Sequence, residues 1–313
     1  MSAVRRAGFV LLAMLWVMVG VSVAGLGIAL VARRAATAAR NRREETRAEW
    51  LAKDCLARAR AVIGAVLAPP SAVTRGADPA TWATLDRALA APSALLPVHR
   101  CTVALHATGR TIDVNTADQE MLARLFAALG MDAAQTDSLV DALLDWRDPD
   151  SVPRPYGAEA AWYIGQGRAP PRNGPFASVR ELHRVRGLEA MPAVDTLLGV
   201  APGRIVLDRA PRAVLAALPG FTPEAVARVE LLQRAGIHIG DLLAVASSLS
   251  PAARAALLAR YPDLVRLTAP EPDAWRLTSR ATVGSPPVTV AITLTLVRAG
   301  PRAAIVRRRM GVE

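Results

Sequence analysis

The chain has 313 residues, 52% of them hydrophobic, enough to bury a sizeable core in one large or two small domains. Its formal charge of +11 rests almost wholly on arginine, since Lys53 is the only lysine; arginine excess suits an anionic partner and is also what a GC-rich genome produces. An aromatic content of 4% supplies few stacking platforms for single-stranded nucleic acid, and two cysteines, Cys55 and Cys101, are too few for a disulfide scaffold or a tetrahedral zinc site.

Residues Phe9 to Ala32 carry no charged side chain. At the helical rise that run is long enough to cross a hydrocarbon core of about 30 Å. Ahead of it lies a short leader, residues 1–8, with Arg5 and Arg6, ending in Gly8. No good small-residue cleavage site follows the apolar run, so the segment reads as a retained anchor. A short basic leader ending in glycine, before an apolar helix that opens with phenylalanine, resembles the prepilin signal of the type IV pilin class. The resemblance implies cleavage after Gly8 by a prepilin peptidase and methylation of Phe9. Most of that class carry glutamate at the fifth mature position, a costly carboxylate in lipid unless paired. Here that position is Ala13, and its absence resembles the K-type minor pseudopilins of type II secretion systems. Taken alone, the segment fits an ordinary signal-anchor helix equally well. The flanking charge points the other way: Arg33, Arg34, Arg40, Arg42 and Arg43 outnumber Arg5 and Arg6, which by the positive-inside count favours the reverse orientation.

Beyond the transmembrane helix 9–32 the helix is expected to continue as an amphipathic spine over 33–67. Its apolar stripe is Trp50, Leu51, Cys55, Leu56, Ala59, Val62, Ile63, Val66 and Leu67, and Pro69-Pro70 ends it. Residues 68–114 read as a linker with a short helix over Pro79 to Ala91, then two strands, His99 to Leu105 and Arg110 to Val114, around a Thr108-Gly109 turn. Residues 115–270 have a helical pattern broken by Gly and Pro. Strands return in 271–313, at Trp275 to Val283, Val288 to Val297 (VTVAITLTLV, a clean alternation) and Ala303 to Arg309. Strands on both sides of a helical block predict one antiparallel sheet with a large α-domain inserted between its strands.

The most specific stretch is the acidic loop, 145–173. It reads Asp145-Trp146-Arg147-Asp148-Pro149-Asp150, then Gly157-Ala158-Glu159, Tyr163 and Asn173-Gly-Pro-Phe176, leading to Glu181-Leu182. Alternating carboxylates in a Pro/Gly-rich loop suit a hard cation with flexible oxygen coordination, calcium before magnesium. They equally suit a solvated acidic turn, and there is no EF-hand spacing. The order and spacing resemble the signature of the K-type pseudopilin family. That resemblance implies structural Ca2+, with Asp148, Asp150 and Glu159 as ligands and Asp145 and Asn173 as weaker candidates.

Ser178 to Leu188 and Leu215 to Phe221 resemble halves of helix-hairpin-helix units, and Asp113 to Glu120 and Leu207 to Val214 form a faint repeat, with Thr116 and Gln119 as a candidate capping box. Hairpin turns can hold a DNA phosphate, with Arg180, Arg184, Arg186 and Arg212 to add charge. The alternative function is therefore a membrane-anchored, competence-type DNA-binding protein, although these glycines suit plain helix C-caps better and nucleic acid is disfavoured. An enzyme is disfavoured too. His99, His106, His183 and His238 lack metal-ligand spacing, and neither a nucleophile elbow nor a phosphate-cradling glycine loop is present.

The family resemblance spans nearly the whole chain. It implies an α+β fold with an N-terminal transmembrane and spine helix and a pilin-like antiparallel sheet interrupted by the helical domain. It further implies a non-enzymatic subunit at the tip of the pseudopilus, in the bacterial inner membrane with its bulk periplasmic. The implied partners are minor pseudopilins I and J, the major pseudopilin and the inner-membrane secretion platform. In an oxidising compartment Cys55 and Cys101, on elements that pack together in pilin-like folds, are a candidate disulfide; Cys55 also fits the apolar stripe as a small core residue.

Overall fold

A computed structural model describes residues 3–67, 101–299 and 302–312 of the chain, with side chains for 14–61 and 101–297. The expected helix over Pro79 to Ala91, the prolines at 69–70 and His99 lie outside the described residues, as do the side chains of the leader, Gly8 and Phe9.

Helix α1 runs unbroken over Ala3–Leu67, 65 residues without a proline. That is a rod about 100 Å long. Among the described residues it is the one helix long and apolar enough to cross a membrane. Further along, Ala48, Ala52, Cys55, Leu56 and Ala59 are buried against a sheet. Small residues form this seam, so the helix axis approaches the sheet closely. The expected stripe was placed differently at its start: Trp50 is 66% exposed, with the Lys53 ammonium 5.0 Å from its ring centroid. Reading the large side chains as the buried ones missed Ala48 and Ala52.

The strands are β1 (Cys101–Ala107), β2 (Ile112–Asp113), β3 (Leu198–Gly199), β4 (Ile205–Val206), β5 (Thr268–Ala269), β6 (Ala274–Val283), β7 (Val288–Ala299) and β8 (Arg302–Val312). The main sheet is antiparallel in the order β1-β6-β7-β8. On β7 the alternation turns Val290, Ile292, Leu294 and Leu296 into the core shared with α1. Its threonines meet their partners on β6 across the other face, Thr278 to Thr293 at 3.1 Å and Thr282 to Thr289 at 2.8 Å. Cys55 and Cys101 form a disulfide with Cα atoms 6.6 Å apart, tying α1 to β1.

The expected hairpin after β1 does not form. At Thr108 the backbone N–H and the hydroxyl both donate to the Ala274 carbonyl, at 2.9 and 2.8 Å, so β1 stays beside β6 and the chain leaves the sheet. The next strand, β2, pairs instead with β3 in parallel. The helical domain is thus inserted between β1 and β6. Its exit point is oriented by two contacts at the other end: Cys101 is bonded to Cys55, and Gly284, just past β6, packs against Glu44. The β6–β7 turn therefore points back toward the apolar part of α1, and the insertion leaves from the opposite end.

The insertion contains two copies of one unit. The first begins on β2, continues through α2 (Gln119–Ala128) and α3 (Ala133–Arg147), and closes on β3. The second begins on β4, continues through helices Arg212–Ala217 and Pro223–Arg234, and closes on β5, also in parallel. The internal bonds repeat as well. The Arg147 guanidinium donates to the Val114 and Ala117 carbonyls, and the Gln233 amide donates to those of Leu207 and Ala210. Asn115 Oδ1 accepts the Phe176 N–H at 2.7 Å; Asp208 Oδ1 accepts the Ile239 N–H at 2.8 Å. The faint sequence repeat is thus the visible part of a structural one. Thr116 is not the cap of α2: the helix starts at Gln119, and Asp118 accepts the Met121 N–H at 2.7 Å.

Candidate metal centre

The acidic loop hangs from the C-terminal end of α3. A capping box, Asp132 with Gln135, fixes where that helix begins. Its last turns bury Trp146, which stands edge-on to Tyr163 at 5.2 Å and stacks on Phe176 at 6.3 Å. The indole N–H donates to Glu181 Oε1 at 3.2 Å, and Glu181 Oε2 accepts the Ala177 N–H at 2.7 Å. The tryptophan, tyrosine, phenylalanine and glutamate of the motif are therefore the wall behind the loop.

Two acids of α3, one turn apart, hold the loop from beneath. Asp141 accepts the Tyr156 N–H at 3.1 Å. Asp145, wholly buried, accepts the Arg154 N–H with both oxygens, at 3.3 and 3.2 Å, and lies 3.5 Å from the Arg154 Nε. Burial pushes its carboxyl up, against the backbone hydrogen bonds that pull it down. Only glycine fits at 157, where a Cβ would sit 1.9 Å from Asp145 Oδ2. Asp145 therefore shapes the loop, and the structure gives it protein partners rather than a free face.

Asp148, Asp150 and Glu159 come together, each with a ligand oxygen within 4.8 Å of the others. Asp148 is the C-cap of α3 in extended conformation, and Glu159 is the N-cap of α4 (Ala160–Gly165) but does not use its carboxylate to cap it. Glu159 is only 5% exposed, and neither of its oxygens, nor Asp148 Oδ1, has a hydrogen-bond partner among the described residues. Burial pushes the Asp148 carboxyl up, with the Asp150 charge adding to it. Burial likewise raises Glu159, helped by the charges of Asp145, Asp148 and Asp150; the Ala160 N–H, nearby but outside hydrogen-bond geometry, pulls the other way. Buried carboxylates without donors are costly unless a cation satisfies them. A hard divalent ion that accepts oxygen ligands at flexible angles fits this set, with carbonyls or water to complete it. Asn173 has a supporting place: in left-handed conformation, φ 47°, its amide donates to the Asp150 carbonyl and, at 3.1 Å, to the Ser151 hydroxyl.

Sequence reasoning missed Asn115, whose amide pairs with both backbone groups of Phe176 and fixes the far end of the loop, at 2.7 and 3.2 Å. It appeared only inside the faint repeat. Arg186, considered for phosphate, instead donates to the Gly157 carbonyl at 3.0 Å and lies over Trp162. Arg212 is paired with Glu230 at 2.5 Å. Gly187, in the hairpin-like segment, would meet Leu139 at 2.6 Å if it carried a Cβ, so that turn is packed onto α3.

The whole loop lies inside residues 102–196, which match the family model of type II secretion system (T2SS), protein K. No curated protein sequence matches the chain. Among solved structures, a chain of the GspK-GspI-GspJ complex from the enterotoxigenic Escherichia coli type 2 secretion system is similar in fold, with a TM-score of 0.59. The two are 16% identical, and the likeness covers 87% of this chain and 99% of that one. The family model thus covers the loop and most of the first unit of the insertion, and the likeness in fold extends over most of the chain.

Proposed function

We propose that the chain sits at the tip of the type II secretion pseudopilus and there primes or caps assembly, together with minor pseudopilins of the I and J kinds. The observation that carries this is where the insertion leaves the sheet. The helical domain departs from the end remote from the apolar part of α1, where it would obstruct a further subunit stacked above. Anchored by α1 in the inner membrane, the chain would present its bulk to the periplasm, an oxidising compartment that suits the Cys55–Cys101 disulfide. Ala13 in place of the glutamate common in pilins suits a subunit with no neighbour above it. Processing after Gly8 and methylation of Phe9 by the prepilin peptidase belong to the same reading, as do contacts with the major pseudopilin and the secretion platform.

The role at the site is structural. Ca2+ held by Asp148, Asp150 and Glu159 would stabilise the first unit of the insertion, and no acid–base or nucleophilic chemistry is assigned to it. Co-expression of the full chain with I- and J-type subunits tests the placement. A three-component complex that purifies intact, and pseudopili that fail to form without this chain, are the expected results. Normal pseudopili in its absence would overturn the tip role. Salt-dependent binding of the full chain to duplex DNA would instead favour the competence-type reading.

A further inference from the structure

Between the apolar part of α1 and its sheet-packed part lies a stretch with neither role. Residues 33–43 read RRAATAARNRR and contain no acid. Arg33, Arg34, Arg40, Arg42 and Arg43 are all exposed, and none of them makes an ion pair with another described residue. Further along the same helix two cations are paired, Lys53 with Glu49 at 2.5 Å and Arg58 with Asp54 at 3.0 Å. Thr37 and Thr46 turn their hydroxyls onto the helix carbonyls of Arg33 and Arg42 and leave the guanidinium groups alone.

The arrangement of the five arginines is informative. At about 100° per residue they fall near 0, 100, 340, 180 and 280° around the axis. They therefore form a ring rather than a stripe. A protein partner meets a helix on one face, whereas lipid headgroups surround it. Arg33 and Arg34 follow the apolar run directly, and Arg40 stands about 10 Å further out, within about a Debye length of the same surface.

We propose that this ring binds anionic phospholipid headgroups and holds a shell of them around the anchor. The proposal rests on the reading that α1 crosses a membrane. Through it, departure of the subunit from the bilayer would carry an electrostatic cost that depends on lipid composition.

The test uses the full chain reconstituted into vesicles of equimolar phosphatidylcholine and phosphatidylglycerol, with either lipid spin-labelled in turn. Electron spin resonance then reads which lipid is immobilised around the protein. Phosphatidylglycerol should be preferred about fivefold or more, the effect of even one arginine at an anionic surface, and the preference should shrink in high salt. A chain carrying R33Q, R34Q, R40Q, R42Q and R43Q should lose the preference, while one carrying K53Q and R58Q should keep it. Circular dichroism melts of both variants exclude misfolding as the cause. Failure of the chain to incorporate into either lipid would overturn the anchor reading and this proposal with it. Incorporation with equal immobilisation of the two lipids would overturn the proposal alone. So would a preference that survives in the fivefold variant, or a ring whose removal abolishes binding to the I- and J-type subunits without changing lipid selectivity.

Discussion

The two units of the insertion share a frame and differ in what fills it. Each enters on a short strand, packs two helices about a glycine turn, and closes in parallel on a second strand. In the second unit the link after the second helix is short, and Asp208 ties it down through the Ile239 N–H and His238. In the first, the chain runs from Asp148 to Phe176 before the matching bond to Asn115 is made. That loop gathers carboxylates whose buried oxygens have no hydrogen-bond partner among the described residues. The aromatic wall behind the loop does not satisfy those oxygens, and coordination can do what protein donors do elsewhere. The comparison sets a copy completed by side-chain bonds beside one whose carboxylates leave room for the proposed ion.

The largest expected effect separates the sheet from both units. The disulfide closes a loop of 46 residues, so Cys101→Ser should cost the spine and sheet about 4 kcal/mol by loop entropy. Denaturant unfolding followed at Trp275, buried in that core, reads it. An insertion that unfolds at the same lowered midpoint would mean the regions are not independent. Next, Gly157→Ala should destabilise the first unit by about 3 kcal/mol, since the methyl displaces the buried Asp145 carboxylate. Hydrogen exchange should rise around the loop and stay unchanged over the second unit.

Glu159→Gln sharpens the comparison by a change of sign. With chelator, removing a buried charge that has no hydrogen-bond partner among the described residues should raise stability by about 1–2 kcal/mol; with calcium, the same change should lower it by removing a ligand. Thermal melts under the two conditions decide, and a shift of one sign in both would remove the metal from the account. The smallest pair of effects is Asn115→Ala and Asp208→Ala, each freeing one backbone N–H at about 1–2 kcal/mol. The first should also weaken calcium affinity, because Asn115 fixes the far end of the loop. The second should leave it alone.

Much of the fold was legible because its patterns are of long period. The alternation of VTVAITLTLV gives β7 and its buried face, and an uncharged run from Phe9 to Ala32 gives the apolar part of α1. The acidic loop stood out through residue types at fixed spacing, and the structure gathers Asp148, Asp150 and Glu159 from it. What stayed hidden depends on partners distant in sequence. The hairpin after β1 looked plausible until the Ala274 carbonyl, far along the chain, took both donors of Thr108. Asp145 resembled a ligand by type but is occupied by Arg154, and Asn173 supports the loop through its amide. The alanine seam of α1 was hidden because close packing there requires small side chains, which carry little hydrophobic signal.

Hydrogen exchange on the full chain, with calcium and with chelator, tests the central claim most directly. A cation bound at a hundredfold excess over its Kd stabilises the state that binds it by about 2.7 kcal/mol. Protection should therefore fall about a hundredfold over residues 145–188 when calcium is removed, and should hold over residues 205–269. Equal protection of both units with and without calcium would contradict the account and leave Asp148, Asp150 and Glu159 as an acidic turn with no ion to hold.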